Sequence, residues 1–209
     1  MKLKVCGMRE STNISELLKL QPDYMGFIFY GKSKRDVADG LDAQLLNAFP
    51  SSTEKVGVFV NAALDFVKEK VIQFGLDLVQ LHGDEAPEYC ADLNASGVKV
   101  MKVFSVGESF DFGELEAYKP NVDFFLFDTK GKERGGNGEL FNWELLNEYD
   151  GGIPYFLSGG IDLENIESLS DLKVQPYAID VNSKFEIEPG LKDVERLKEL
   201  KVRLLRASQ

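Results

Sequence analysis

The chain has 209 residues, of which 44% are hydrophobic and 28% charged, and its formal net charge is −11 at pH 7. This length and apolar content predict one folded domain over residues 1–209 and exclude disorder as the main state. Without a long Lys/Arg run, nucleic acid is not an expected partner. No apolar stretch approaches the roughly 20 residues that span a bilayer, and no signal-peptide pattern is seen. Two cysteines are too few for a disulfide framework, so we expect a cytoplasmic protein.

Short apolar runs alternate with helix-length amphipathic segments. The predicted strands are residues 3–7, 24–30, 55–60, 76–82, 98–105, 124–128, 155–158 and 178–181. Continuous apolar runs of this kind are typical of parallel strands that are buried on both faces. The predicted helices are residues 14–20, 43–49, 63–74, 86–95, 142–148, 163–169 and 192–206, with a shorter one near 114–118. Eight strands alternating with helices predict an α/β fold, a single (β/α)8 TIM barrel with eight parallel strands, because an open doubly wound sheet usually has fewer strands in this length.

Polar residues and glycines collect where the apolar runs end. In a barrel of parallel strands the active site forms at the carboxyl ends of the strands, so these residues are expected to converge on one mouth. The candidates in chain order are Cys6, Arg35, Asn61, Gln80, His82, Asp128, Gly159, Gly160, Asp180, Asn182 and Ser183.

Two of these residues suit acid–base chemistry. Cys6 could serve as a base or nucleophile, since a thiolate needs only modest help from local positive charge; the alternative is a small buried hydrophobe. Asp128 follows four apolar residues, where a carboxylate is costly unless it is partnered or protonated. A protonated carboxyl suits a general acid, although a helix cap or loop anchor is the competing interpretation. Cys90 lies in a predicted helix and is interpreted as structural.

The seventh strand is followed by a glycine turn and then by a helix-like segment. Gly159 and Gly160 would let the backbone approach a phosphate closely, and the loops after strands seven and eight commonly form the phosphate site of such barrels. The alternative is a simple tight turn. The charged, glycine-rich segment 129–138 is either a lid or a surface loop.

His82 and Arg35 each have two interpretations. His82 is the single histidine, so no metal site is expected; it either lines the mouth or satisfies a structural hydrogen bond. Arg35 could pair with a substrate carboxylate or phosphate, or it belongs to a solvated basic face with Lys32 and Lys34.

An ordered set of motifs resembles the phosphoribosylanthranilate isomerase family over nearly the whole chain. Each motif alone is weak, but their order is specific. They are Lys4-Val5-Cys6-Gly7-Met8-Arg9; Gly26-Phe27-Ile28-Phe29-Tyr30 with Lys32, Ser33 and Arg35; Val56-Gly57-Val58-Phe59-Val60-Asn61; Val79-Gln80-Leu81-His82-Gly83; Phe127-Asp128-Thr129; Gly135-Gly136-Asn137-Gly138 with Phe141 and Trp143; Leu157-Ser158-Gly159-Gly160; and Asp180-Val181-Asn182-Ser183, followed by Glu186, Pro189-Gly190 and Lys192-Asp193.

The resemblance implies an Amadori rearrangement of a phosphorylated aminosugar, N-(5-phosphoribosyl)anthranilate, without cofactor or metal. It implies that Asp128 is the general acid, Cys6 the general base and Arg35 a contact for the anthranilate end. The phosphate would be held by Gly159, Gly160, Asn182 and Ser183, and the pocket would be lined by Gln80, His82 and Asp180. No protein partner is implied.

The chain departs from the family pattern at two positions. Asn137 stands where a threonine or serine is expected, and Lys184 stands where a glycine is expected. If that glycine has a positive φ, lysine costs roughly 1 kcal/mol or more. A further hypothesis is that Lys184 adds a positive charge beside the phosphate.

Other functions remain open on the same scaffold. A phosphosugar epimerase would need metal-binding histidines, and an indole-forming synthase would need a catalytic lysine where Cys6 stands. A regulatory protein that only binds a phosphorylated ligand would need neither Cys6 nor Asp128.

Overall fold

Eight parallel strands close into a barrel in the computed structural model, which describes residues 1–129 and 143–207. The strands are β1 (Lys2–Val5), β2 (Tyr24–Phe29), β3 (Glu54–Phe59), β4 (Leu78–Leu81), β5 (Lys99–Val106), β6 (Phe124–Thr129), β7 (Tyr155–Ser158) and β8 (Ala178–Val181). Each strand pairs with the next along the chain, and β1 pairs with β8, Lys4 lying opposite Asp180. The predicted (β/α)8 barrel is confirmed.

Helices cover the first half of the barrel and its last connection. They are α1 (Ser11–Leu18), α2 (Ala43–Asn47), α3 (Leu64–Phe74), α4 (Pro87–Asn94) and α5 (Val194–Ala207). Among the described residues, none of the helices is both long and apolar enough to cross a membrane.

The connections after β5, β6 and β7 contain 3₁₀ helices, which corrects the predicted α-helices near 114–118 and at 142–148 and 163–169. They are Phe112–Ala117, Lys119–Asn121, Trp143–Glu148 and Ile166–Asp171, while residue 142 lies outside the described residues. The buried side chains are compatible with this geometry: Trp143 and Leu146, like Ile166 and Leu169, are three positions apart. A helix with three residues per turn places such pairs on one face.

The predicted helix at 192–206 starts later, at Val194, because Lys192 belongs to a hairpin that the sequence did not predict. The hairpin consists of antiparallel β9 (Glu186–Glu188) and β10 (Leu191–Lys192) and follows a 3₁₀ turn, Ser183–Phe185. Asp193 then caps α5, since its Oδ1 accepts a hydrogen bond from the Arg196 backbone N at 3.0 Å.

Side chains alternate between the two faces of each strand, so the protein has two hydrophobic cores: one between the barrel and its helices, and one inside the barrel. On β1, Leu3 and Val5 pack outward with the helices, so Lys4 and then Cys6 face the barrel interior. The inner core is a plug of strand residues: Tyr24, Val56, Leu78, Met101, Val103, Phe124, Leu126, Phe156 and Ala178. Two residues further along their strands, the same alternation turns Gln80, Asp128 and Asp180 inward above this plug. The inward positions beyond the plug are therefore those that can form a site.

Candidate active site

A cavity of about 260 Å³ lies at the carboxyl ends of the strands. Its lining consists of Cys6, Ile28, Val58, Gln80, His82, Asp128, Ser158, Gly159, Gly160, Ile161, Asp180, Val181, Asn182, Ser183 and Lys184. The cavity brings together the predicted site residues except Arg35 and Asn61, which lie outside its lining. These residues, up to 177 positions apart in the sequence, meet because each lies near or just beyond the carboxyl end of a barrel strand.

Cys6 is both buried and part of the cavity wall, with 4% of its surface exposed. Its sulfur lies against Gly26 of β2, where a Cβ would be only 2.8 Å from Sγ. Burial raises the pKa of the Cys6 thiol and is the largest influence on it; the cations of Lys4 and Lys192 oppose this rise, and the Asp180 carboxylate adds to it. The two interpretations of Cys6 therefore coexist, since a buried thiol faces the cavity.

Asp128 lies near the end of β6 and is partly exposed to the cavity. His82 Nε2 lies 3.6 Å from Asp128 Oδ2, and His82 Nδ1 lies 3.3 Å from Gln80 Nε2. The amide of Gln80 can donate to the ring, which orients the other ring nitrogen toward the carboxyl group. His82 thus lines the mouth and makes a hydrogen bond as well.

Asp180 of β8 is a buried carboxylate with one engaged oxygen. Its Oδ2 accepts a hydrogen bond from Lys4 Nζ at 2.8 Å, whereas neither its Oδ1 nor Gln80 Oε1 has a hydrogen-bond partner in the described part of the chain. Leaving a buried acceptor unpaired costs roughly 1–3 kcal/mol. Because both residues line the cavity, these oxygens are available to the hydroxyl groups of a ligand.

The loops after β7 and β8 form one end of the cavity. Gly159 has φ 90° and Gly160 has φ 68°, a left-handed conformation that favours glycine. Lys184 also lines the cavity, within the 3₁₀ turn Ser183–Phe185. The expected strain at Lys184 is not found, because the non-glycine residues with positive φ in the described ranges are Gln21 and Asn61. The lysine is compatible with this turn.

Arg35 lies outside the cavity lining, where Glu186 holds its guanidinium. Arg35 Nε donates to Glu186 Oε1 at 2.8 Å and Nη2 donates to Oε2 at 2.5 Å. Lys192 Nζ donates to Glu186 Oε1 and to Asn182 Oδ1, both at 2.6 Å. Through this network, the hairpin fixes Arg35 and a cavity residue, Asn182, together.

Several residues that build this site had no role predicted from the sequence. Lys4, Glu186 and Lys192 appeared there only as members of the motifs. The available signal for Lys4 was a charged residue at an inward position of an otherwise apolar strand, which is costly unless partnered. Gly26 offered no comparable signal, because its role depends on the neighbouring strand.

Comparisons with known proteins agree on one family. A family model described as N-(5'phosphoribosyl)anthranilate (PRA) isomerase matches residues 3–202. The N-(5'-phosphoribosyl)anthranilate isomerase of Parabacteroides distasonis is 45% identical over 200 residues, covering 95% of this chain and 90% of the relative. That of Phocaeicola vulgatus is 41% identical over 194 residues, covering 92% of each chain.

Solved structures of isomerases with this activity have the same fold. The phosphoribosyl anthranilate isomerase of Thermotoga maritima superposes with a TM-score of 0.86 at 33% identity, covering 96% of this chain and 97% of the other. A phosphoribosyl anthranilate isomerase in complex with reduced 1-(o-carboxyphenylamino)-1-deoxyribulose 5-phosphate gives a TM-score of 0.82 at 30% identity, covering 95% of each chain. With this fold, this cavity and these relatives, the chain belongs to the N-(5'-phosphoribosyl)anthranilate isomerase family.

Proposed function

We propose that Cys6 is the general base and Asp128 the general acid of the isomerisation that this family performs in tryptophan biosynthesis. The reaction converts N-(5'-phosphoribosyl)anthranilate to 1-(2-carboxyphenylamino)-1-deoxyribulose 5-phosphate, an aldose-to-ketose Amadori rearrangement. The observation that carries the proposal is the presence of both groups in one cavity above an apolar plug. A barrel needs neither a thiol nor a carboxyl group at these inward positions for packing.

Asp128 performs the first step. It donates a proton to the ring oxygen of the furanose, the bond between that oxygen and C1 breaks, and the nitrogen lone pair forms the C1=N bond of a protonated Schiff base. The His82 ring, 3.6 Å from the carboxyl group, is placed to stabilise the carboxylate that remains.

Cys6 performs the second step. As a thiolate it removes the proton from C2 of the sugar, and the C–H electrons form a C1=C2 bond while the iminium nitrogen regains its lone pair. The resulting enolamine tautomerises, with proton transfer to C1, to the ketone product. No electron acceptor is consumed, so the proposal requires no cofactor and no metal.

The remaining residues bind the substrate in this proposal. The backbone at Gly159 and Gly160, together with Asn182 and Ser183, holds the phosphate, which suits glycines that leave the backbone open. At the sugar, the free oxygens of Gln80 and Asp180 accept hydroxyl hydrogens, with His82 beside them.

Arg35 binds the carboxylate of the anthranilate end. Its anchoring by Glu186 engages Nε and Nη2, so the remaining guanidinium nitrogen, Nη1, is the one that this proposal directs to the substrate. A planar guanidinium held on one edge is well suited to a carboxylate.

The test is the loss of anthranilate-type fluorescence after freshly made phosphoribosylanthranilate is mixed with the enzyme. Cys6→Ser and Asp128→Asn are each expected to lower kcat by about 10²–10⁴-fold, the usual worth of a positioned acid or base. Cys90→Ser is the matched control for the thiol, because Cys90 is buried in α4 away from the cavity; its kcat should equal that of the parent enzyme.

Two results would reject the proposed roles. A folded Cys6→Ser or Asp128→Asn enzyme with parental kcat would exclude that residue as base or acid. A folded parent protein that binds the substrate without consuming it would reduce the function to ligand binding.

We also infer the cellular compartment of the protein and the chemical class of its ligand. Cys6 and Cys90 are both free thiols, and the proposed base must stay reduced, which favours the reducing cytoplasm. The partner is a small phosphorylated aminosugar; nothing in the charge pattern points to nucleic acid or membrane.

A further inference from the structure

Lys4 lies directly beneath the proposed base and has no part in the mechanism given above. Lys4 and Cys6 are two positions apart on β1 and its continuation, so both face the barrel interior. The Lys4 side chain has no exposed surface. Its ammonium group pairs with Asp180 of the neighbouring strand, Nζ to Oδ2 at 2.8 Å.

Burying a lysine at this position costs folding free energy. Taking an ammonium group out of water costs several kcal/mol, and a buried ion pair often stabilises a fold no better than apolar residues of the same size. The inward positions of the plug are filled by apolar side chains, so packing of the barrel interior does not itself require a charge. The Lys4–Asp180 pair is therefore poorly explained by stability alone.

The charges around Cys6 leave one positive charge uncompensated. Lys4 on β1, Lys192 on β10 and Arg35 after β2 all interact electrostatically with the sulfur, as does Asp180 on β8. The fifth charged group, Glu186, is bound to Arg35 and Lys192. Three cations and two carboxylates sum to +1, the charge that a thiolate at Cys6 neutralises; Asp128, the other carboxyl group of the cavity, carries no charge while it holds the proton of the proposed acid. Strand β2 contributes Gly26 at the sulfur and no charge.

We propose that Lys4 is a positioning residue of the reaction: its ammonium group, fixed by Asp180 beneath Cys6, stabilises the negative charge that the sulfur carries as the base. The Lys4 side chain is fully buried, so water screens its charge only weakly and its attraction for a negatively charged sulfur is correspondingly strong. The proposal rests on the proposed function, since it concerns the ionisation of the residue assigned as the base.

The test is a titration of the Cys6 thiolate, followed by its ultraviolet absorbance as the pH is raised. The measurement uses Cys90→Ser enzyme, so that Cys6 is the only thiol, and Cys6→Ser, Cys90→Ser enzyme as the blank. Lys4→Met, which keeps the length and removes the charge, is expected to raise the titration midpoint by about one pH unit or more. Asp180→Asn, which removes a negative charge while retaining the shape, is expected to lower it.

Lys102→Met is the matched control. Lys102 is also a buried lysine in a barrel strand and pairs with a buried carboxylate, Nζ to Glu85 Oε2 at 3.0 Å. Its neighbours Met101 and Val103 belong to the inner core, so Lys102 faces outward, on the other side of the barrel wall from Cys6. The Lys102→Met midpoint should equal that of the parent.

Shifts of opposite sign in Lys4→Met and Asp180→Asn would support the proposal, because a merely structural disturbance would move both midpoints in the same direction. An unchanged or lowered midpoint in Lys4→Met would overturn it. If Lys4→Met does not fold, the Asp180→Asn enzyme provides the test. A Cys6 titration midpoint that is not lowered in Asp180→Asn would then overturn the proposal. The titration needs no substrate, so an active Cys6→Ser enzyme would reject the proposed base independently of this result.

Discussion

At the scale of single residues, the position of the Cys6 sulfur depends on a side chain that is absent. Gly26 on β2 leaves the space into which Sγ projects, and a Cβ there would lie 2.8 Å from Sγ and 3.1 Å from the Cys6 Cα. Because the Cα belongs to a barrel backbone paired on both sides, it cannot easily move away. The adjustment would fall on the sulfur, which is the atom that must reach the substrate.

Gly26→Ala is therefore expected to lower kcat roughly tenfold to a hundredfold, as a misplacement of about 1 Å can do. Overpacking should also reduce the free energy of unfolding by about 1–3 kcal/mol. Both are measured on the same preparation, by the fluorescence assay and by denaturant unfolding. Gly31→Ala is the control, since a Cβ at Gly31 has open space around it. Parental activity in Gly26→Ala would show that the sulfur is not confined by β2.

At the scale of elements, the loop after β8 places a lysine at the proposed phosphate site of an acidic protein. The 3₁₀ turn Ser183–Phe185 brings Lys184 into the cavity lining beside Ser183. The turn needs no glycine at position 184 in this chain, so a side chain is accommodated there without strain. We interpret Lys184 as a local positive charge that offsets the net charge of −11 where the phosphate binds.

Lys184→Met is expected to raise KM roughly fivefold with little change in kcat, because losing a charge contact of about 4 Å in water costs about 1 kcal/mol. The effect should diminish as salt is added, since screening weakens exposed charge pairs. Lys173→Met is the control, being an exposed lysine outside the cavity lining. An unchanged KM in Lys184→Met would exclude a role in phosphate binding.

At the scale of the whole molecule, the hairpin β9–β10, which follows the last barrel strand, is hydrogen-bonded to Arg35, which follows the second strand. The Glu186 side chain is buried and accepts hydrogen bonds from Arg35, from Lys192 and from the Gly190 backbone. Burial is the largest influence and raises the pKa of Glu186, but the hydrogen bonds from Arg35 and Lys192 together outweigh it and lower that pKa to about 2. A carboxylate whose pKa falls on folding stabilises the native state above its unfolded pKa and loses that contribution as the pH falls toward its folded value.

Glu186→Gln is expected to lower the free energy of unfolding by about 3 kcal/mol at neutral pH, because the buried Lys192 and the partly buried Arg35 lose their carboxylate. The difference from the parent should shrink between pH 4.5 and about 2, as the parent's own Glu186 becomes protonated. Denaturant unfolding across this pH range measures it. Glu188→Gln, exposed on the same hairpin, should match the parent throughout, and a Glu186→Gln difference independent of pH would contradict the argument.

The sequence predicted the barrel because the alternation of apolar runs and amphipathic segments follows from local physics. Strands buried on both faces must be apolar throughout, and the residues that end them must be polar where they meet a cavity. Cys6 and Asp128 could therefore be selected as candidates from their positions alone. The 3₁₀ helices were predicted as α-helices because a buried spacing of three residues, as in Trp143 and Leu146, is compatible with both helix types over six residues.

Local patterns along the chain were sufficient to predict the order of strands, the barrel they form and the set of polar residues at their carboxyl ends, since each depends on neighbours in the sequence. The pairing of the charges could be read only from the folded protein. The pairs Lys4–Asp180 and Arg35–Glu186 join residues 176 and 151 positions apart. The position of the Cys6 sulfur likewise depends on Gly26 in the adjacent strand. These relations arise from closure of the barrel, which sets distances between strands that no local pattern specifies.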